Sequence, residues 1–578
     1  MKRVENFALK DNFVSKLVRS MFVFTTDAPA AKPQDTTKVS EQRYNQFEDK
    51  PIRHIHINVL NVFGYSVHDP VCHNITRFEK VANRLHYPTR SWIVKNKLLF
   101  EKGETIDAFK VSESERLLRQ SNYINDAKII VSNVSDSSDS VDVTVYVQDV
   151  WGIGVGVTGD PMVPNGDMSV NDLNFLGLGQ RLDTKLWYDE SYYNSWKFAG
   201  SYNISEIGKT YISSRAYYLT ENRNQVFGLS FNRPFFSPTT PWGSGLTIER
   251  KDIYYDFHTE DSSHFVGHNT IWHQDAWAGV ALKPGPHKSL YQRKAQIVLA
   301  GRIVSGTHTK KHGLPEQVNK SFPNDITYLA TAGYSFREYY RDRFIFGFGR
   351  TEDIPLGHMA SYTAGINRID GVDRFYSGIK LAAGKTHSAL GYMYGGIETG
   401  GYLRKGDIEQ GVLGVQFLYF TNLQPVGRWQ LRHFLWNRFT IGYNRRPGEL
   451  LNINEGEGLR VFASDRIRGT QKMVTNYELN FFTPYTPLGF RVVTVLFADF
   501  ALIGTKQNPF YNSRLYQGYG IGLRLKNERL IFNTFQLSLH YYPGAEEFGA
   551  RTYRHYHTEH PYYRFQGFDV GAPYTVGF

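Results

Sequence analysis

The chain has 578 residues, too many for one small core, so at least two structural units are expected. A mean hydropathy of −0.41 and the lack of any apolar run of ~18 residues argue against a helical membrane protein. The net charge of +11 raises nucleic acid as a partner, but the basic residues are spread thinly. No zinc-ligand spacing, helix-turn-helix pattern or basic cluster interleaved with aromatics accompanies them, so nucleic acid is not expected. Aromatic residues make up 15% of the chain and glycines number 52, which suits a β-rich protein. The single cysteine, Cys72, excludes an intrachain disulfide.

Residues 1–50 form an N-terminal segment and linker. The start, MKRVENFALKDNFVSKLVRSMFVF, has a basic pair but not the ~7–15-residue apolar core of a secretory signal. Phe13 to Phe24 reads as a short amphipathic helix. An exported protein with this sequence has lost its signal or begins late. The Pro/Thr/Ser-rich stretch TTDAPAAKPQDTTKVSEQ reads as a linker.

Residues 51–149 read as a small α/β unit. PIRHIHINVLNVFG alternates through Ile55, Ile57 and Val59 and predicts a strand. A polar, His-containing stretch of undefined fold follows. After Gly103, IDAFKVSESERLLRQSNYI places Ile106, Phe109, Leu117 and Leu118 near helical spacing. Ser112 and Glu115 are spaced as a capping box for the second part of that stretch. DAKIIVSNV predicts a strand, and DSVDVTVYVQDVW another, with Val141, Val143, Val145 and Val147 on one face. The run FEKGETIDAFKVSESERLLRQSNYINDAKIIV resembles a POTRA domain, in which a glycine turn precedes a helix pair and two strands. The departure is an insertion at 65–97 before that turn.

From residue 150 to Phe578, segments of ~9–14 residues alternate between apolar and polar side chains, as membrane-spanning strands must. WKFAGSYNIS sets Trp196, Phe198, Tyr202 and Ile204 against Lys197, Ser201 and Asn203. WQLRHFLWNRFTIGYN sets Trp429, Leu431, Leu435, Phe439 and Ile441 against Gln430, Arg432 and Arg438. IFNTFQLSLHYY sets Phe535, Leu537, Leu539 and Tyr541 against Thr534, Gln536, Ser538 and His540. Lipid offers the backbone no hydrogen bonds, so only a closed sheet can span it this way. A soluble propeller would show a repeat of ~40–45 residues, and none is present. The fold class expected is mainly β: a transmembrane antiparallel β-barrel of 16 strands over 150–578, ending in PYTVGF as a closing strand.

Four runs resemble the BamA/TamA superfamily of outer-membrane assembly barrels, the bacterial surface antigen family. They are DLNFLGLGQRLDTKLWYD, RIRGTQKMVTNYELNFFTP, LFADFALIG and GYGIGLRLKNERLIF. The family's loop pattern is Val/Ile-Arg-Gly-Phe/Tyr, and its next strand carries F-x-D-x-G. The resemblance implies that Arg468 and Gly469 form a loop docked in the lumen, with Arg468 paired to Asp499. Thr470 stands where the pattern has an aromatic, and Ala501 where it has glycine. In relatives the first and last barrel strands meet poorly and can part, which implies a seam here between about 150–158 and 571–578. Gly152, Gly154 and Gly156 weaken the first of these strands, and Pro573 removes a ladder donor from the last, which ends on Phe578. A bulge or tight bend explains the glycines equally well.

The function implied is assembly or insertion of outer-membrane proteins, through the seam and through POTRA strand pairing. The location implied is the bacterial outer membrane, with the POTRA-like domain in the periplasm. Its partners would be outer-membrane lipid, unfolded β-barrel clients, and periplasmic chaperones or assembly lipoproteins. Alternatives are a dedicated secretion pore for one partner protein, with 13–24 as a plug helix, and a passive porin or barrel enzyme. No nucleophile–base spacing is present, since Gly243-Ser244-Gly245 lacks the elbow context. His555, His557 and His560 read as polar surface rather than metal ligands. No enzyme activity, cofactor or metal is therefore expected.

Overall fold

The computed structural model describes residues 40–578 except 73–74, 135–138, 161–164, 190–194, 222, 259–263, 286–292, 313–321, 457, 487–489, 531–533 and 559–566. The proposed helix at 13–24 lies outside the described residues.

The α/β unit contains β1 (Ile52–Leu60), α1 (Arg77–Leu85), α2 (Ser91–Asn96), α3 (Ala108–Arg119), β2 (Ile124–Asn133) and β3 (Val141–Asp149). Its sheet has the order β1-β3-β2, with β1 parallel to β3 and β2 antiparallel to it. Val141, Val143, Val145 and Val147 are fully buried under the helices, as their alternation predicts. The unit also takes in residues ahead of 51, because Tyr44 of a 3-10 turn at Ser40–Phe47 is buried in the same core.

Two details differ from the sequence reading. The stretch 65–97 carries α1 and α2, so one helix, not a pair, follows the turn at Gly103. The cap of α3 is Asp107, whose carboxylate accepts from Phe109 N at 3.0 Å and Lys110 N at 3.3 Å. Ser112 and Glu115 lie inside that helix. A true capping box opens α1, where Thr76 and Glu79 cap each other's backbone amides.

The rest of the described chain is a closed antiparallel barrel. Its first strands are β4 (Ile153–Asp160), β5 (Asn165–Asp172), β6 (Gln180–Asp189), β7 (Ser195–Ile204), β8 (Ser213–Glu221) and β9 (Asn224–Arg233). Then come β10 (Trp242–His258), β11 (His264–Leu282), β12 (Ala295–His312), β13 (Asp325–Asp342), β14 (Glu352–Ile369), β15 (Val372–His387), β16 (Gly391–Arg404) and β17 (Asp407–Phe420). The last are β18 (Gln424–Val426), β19 (Trp429–Tyr443), β20 (Gln471–Phe482), β21 (Arg491–Gly504), β22 (Tyr516–Lys526), β23 (Phe535–Tyr541) and β24 (Tyr553–Thr558). The three-residue β18 only prolongs the row that β17 forms against β19. Twenty strands therefore make the wall among the described residues, not the 16 expected.

Burial is inverted relative to a soluble sheet. On β23, Phe535, Leu537, Leu539 and Tyr541 are 40–55% exposed, whereas Gln536, Ser538 and His540 are at most 3% exposed. The apolar face points outward and the polar face inward, as a lipid-facing wall requires. The wall is uneven in height. Strands β10 to β14 run 17–19 residues, whereas β22 has 11.

The α/β unit covers one end of the barrel. Arg119 of α3 grips Asp353 of β14 with two bonds, Nε to Oδ2 at 2.8 Å and Nη2 to Oδ1 at 2.6 Å. Glu115 receives Arg119 at 2.5 Å and Arg341 of β13 at 2.9 Å. Arg116 donates to the Phe236 carbonyl at 2.7 Å and lies over the Tyr339 ring. All these arginines are almost fully buried.

Candidate functional site

The long loop between β19 and β20, residues 444–470, folds back into the lumen. Leu451, Ile453, Leu459 and Phe462 pack there against Val474, Ala501 and Tyr542. Apolar packing holds the loop, and one buried arginine, Arg460, fixes its register.

Asp499 on β21 accepts three bonds: from Arg460 N at 2.9 Å, Arg460 Nη1 at 2.5 Å and Asn476 Nδ2 at 2.9 Å. Asn476 is Asp499's partner across the β20–β21 ladder and also donates to the Gly458 carbonyl at 3.1 Å. Arg460 Nη2 lies 3.5 Å from Glu478 of β20. Glu478 is in turn held by Arg524 of β22, at 2.6 and 3.0 Å. The guanidiniums of Arg460 and Arg524 lie 4.9 and 5.6 Å from the centre of the Phe497 ring. The Tyr542 hydroxyl donates to the Arg460 carbonyl. Arg460, Glu478 and Asp499 are each at most 2% exposed. Two carboxylates and two guanidiniums alternate in one dry cluster, each charge facing an opposite one.

Glycines on the lumen face of β22 make room for it. A Cβ at Gly518 would meet the Tyr542 ring at 3.0 Å, and one at Gly520 would meet Phe497 at 3.1 Å. The apolar residues that blur the alternation of β21 have a place here too. Val493, Val495 and Phe497 face the lumen and pack against Phe344 and Phe348 of the β13–β14 turn.

The predicted pairing of Arg468 with Asp499 is corrected: Asp499 pairs with Arg460. Arg468 is exposed and, among the described residues, its side chain makes no hydrogen bond or ion pair. Gly469 has a different task. It exchanges two backbone bonds with Leu451, and a Cβ on it would stand 2.3 Å from the Gly504 carbonyl oxygen. Thr470 joins the ladder, donating its N–H to Gly504 O at 2.8 Å, so no aromatic is needed there. The run that fits the loop pattern is Leu459-Arg460-Val461-Phe462. A search for Arg-Gly misses it because valine stands in the glycine place. Val461 nevertheless adopts the backbone that glycine favours, with φ at +58°.

The seam is half corrected. β4 begins at Ile153 and lies beside β24, closing the barrel. Gly154 and Gly156 lie on β4, and a Cβ at Gly156 would meet Ser169 Oγ at 2.6 Å. Gly152 lies just ahead, where Trp151 N donates to Arg529 O at 2.8 Å. Pro573 and Phe578, however, are not on a closing strand. Residues 567–578 leave the wall and run inside the lumen, so β24 is the last described strand. Phe568 is fully buried there, the Pro573 carbonyl accepts from Arg302 Nη1 at 2.8 Å, and the Phe578 ring lies under Arg445. The side chains of His555 and His557, and all of His560, lie outside the described residues. Among the described residues no group of three potential ligands gathers for a metal.

No protein-family model and no curated protein matches the chain. Solved structures similar to it include BamA from Haemophilus ducreyi lacking POTRA domains 1–3, at 12% identity over 87% of this chain and 83% of that one, with a TM-score of 0.35. CdiB from Escherichia coli is similar at 12% identity over 88% and 76%, with a TM-score of 0.39. CdiB from Acinetobacter baumannii is similar at 11% identity over 93% and 94%, with a TM-score of 0.35. Likeness this distant says nothing of substrate or partner.

Proposed function

We propose that the chain is an outer-membrane barrel of the BamA/TamA type, which assembles or moves other polypeptides and makes no bonds itself. One observation carries this reading: an outward apolar wall surrounds a lumen occupied by the chain's own loop and tail. Barrels of ~16–18 strands leave a water-filled channel unless something fills it. A passive porin needs that channel, whereas this chain fills it and anchors the filling with buried charges.

Gly154 and Gly156 on β4, the strand beside β24, support action at the seam. An incoming strand can add to an edge weakened by glycine through main-chain bonds, with little demand on its sequence. The β-α-α-α-β-β unit, read as POTRA-like and periplasmic, has β1 and β2 as its sheet's outer strands and can pair with clients in the same way. Partners on this reading are membrane lipid, unfolded barrel clients and periplasmic chaperones or lipoproteins. The filled lumen also favours a second reading, a gated secretion pore for one partner.

Depletion of the protein followed by outer-membrane proteomics tests the choice. A fall in many barrel proteins is expected. Loss of one secreted protein alone would replace the assembly reading with the pore. High conductance through the intact chain would refute both.

A further inference from the structure

Residues 567–578, GFDVGAPYTVGF, lie extended along the lumen face of β12, β13, β15, β16 and β19. Their contacts alternate between main chain and aromatic ring. Ser335 donates its hydroxyl to the Phe568 carbonyl. Arg302 donates to the Pro573 carbonyl with the one guanidinium nitrogen that Asp275 does not take; Asp275 holds the other two at 2.8 and 2.6 Å. The Val576 N–H donates to the Tyr376 hydroxyl at 2.7 Å. Between these points the rings sit in shaped places. Phe568 lies 5.7 Å from the Tyr394 ring, Tyr574 donates to Glu398 at 3.3 Å, and Phe578 is 4.0 Å beneath the Arg445 guanidinium.

The strands are cut to fit. A Cβ at Gly384 would stand 2.5 Å from the Phe568 ring, one at Gly442 2.2 Å from the Phe578 ring, and one at Gly333 2.8 Å from a Val570 methyl. Glycine weakens a strand interior and is placed where another chain approaches closely. Three such positions on three strands, each under a different residue of the segment, describe a groove built for an extended chain.

We propose that the lumen contains a polypeptide-binding groove. It takes an extended segment with aromatic side chains six and then four residues apart, as at 568, 574 and 578. Residues 567–578 occupy it in cis and close the lumen, and an extended segment of another polypeptide with that aromatic spacing takes their place. Main-chain bonds supply binding with little sequence demand, and the ring pockets supply register. The proposal rests on the membrane-barrel reading above.

Planar-bilayer conductance tests it, comparing the intact chain, the chain lacking 567–578, and the shortened chain with synthetic GFDVGAPYTVGF added. The intact chain is expected to conduct little and the shortened one several-fold more. The added peptide should restore the block, whereas a scrambled peptide should not. If deletion prevents folding, Phe568→Ala with Tyr574→Ala, which alters no strand, is measured instead and should open the lumen likewise. Equal conductance of intact and altered chains, each migrating as a heat-modifiable barrel, overturns the groove. So does a scrambled peptide that blocks as well as the native one. A chain with no heat-modifiable migration at all refutes the barrel reading beneath it.

Discussion

Removing the Arg460 side chain is the sharpest perturbation of the lumen cluster. Arg460→Ala takes from Asp499 its 2.5 Å bond and its neutralising charge, leaving the Arg460 amide and Asn476 as donors. Glu478 keeps both bonds from Arg524. One carboxylate is thus left charged, buried and partly bonded. Breaking a buried pair from one side costs ~3–5 kcal/mol, and the two surviving donors place this case near ~3 kcal/mol. Asp499→Asn strands the arginine instead. Arg460 retains the Tyr477 carbonyl at 3.3 Å and Glu478 at 3.5 Å, so the cost should be nearer ~2 kcal/mol. The double variant should cost less than the sum by ~1–3 kcal/mol, because the second change removes a group the first had already orphaned. Arg468→Ala, on an exposed side chain, should stay within ~0.5 kcal/mol of the parent.

Denaturant unfolding of the barrel in micelles, followed by heat-modifiable migration, measures all four variants. Protease cutting within 444–470 reports the loop directly. An Arg468→Ala loss as large as that of Arg460→Ala would refute the assignment of the docking arginine. Strictly additive costs for Arg460→Ala and Asp499→Asn would refute the pairing itself.

Arg119→Ala should free the α/β unit from the barrel mouth. It removes both bonds to Asp353 and leaves Glu115 with less compensation, at a cost of ~3–5 kcal/mol read as faster proteolysis between the two units. Gly469→Ala should cost ~1–3 kcal/mol in barrel stability, since its methyl group must displace the Gly504 carbonyl at 2.3 Å. Contact between the α/β unit and the β13–β14 turn should weaken in acid. Arg343 of that turn donates to His68 Nε2 at 2.7 Å, and partial burial together with this guanidinium pushes His68 down to about 4 from 6.5. Because the folded value is the lower one, protonation favours the open chain: the contact is fully present above pH 6.5 and is lost progressively as pH falls toward about 4. Proteolysis across that range should show the loss, and His68→Gln should flatten it.

Much of the fold was legible because lipid imposes a period of two. The outward Phe535, Leu537 and Leu539 and the inward Gln536 and Ser538 needed no tertiary information. Strand number was harder, because β5, NGDMSVND, has almost no apolar face to count. The docking arginine was hidden by a residue type: Val461 takes a glycine-like backbone that its side chain gives no reason to expect. The tail was misread for a related reason. Tyr574, Val576 and Phe578 do share one side of an extended chain, but a period of two reports extension, not what the chain pairs with. The same pattern serves a wall strand and a segment lying in a groove.

The manner in which the lumen is filled bears on what the barrel can do. The tail is held at one end by Phe568 and Val570 in an apolar cluster, and along the rest by hydrogen bonds to carbonyls, a tyrosine hydroxyl and rings under cations, which water or another peptide can replace. Exchange of such contacts has a small net free energy although each is specific in geometry. The loop has an apolar cluster too, but adds a buried double ion pair that would be strongly destabilised if one partner left. The two lumen segments therefore divide the work: residues 444–470 belong to the frame of the barrel, and residues 567–578 are the part that can yield to another chain.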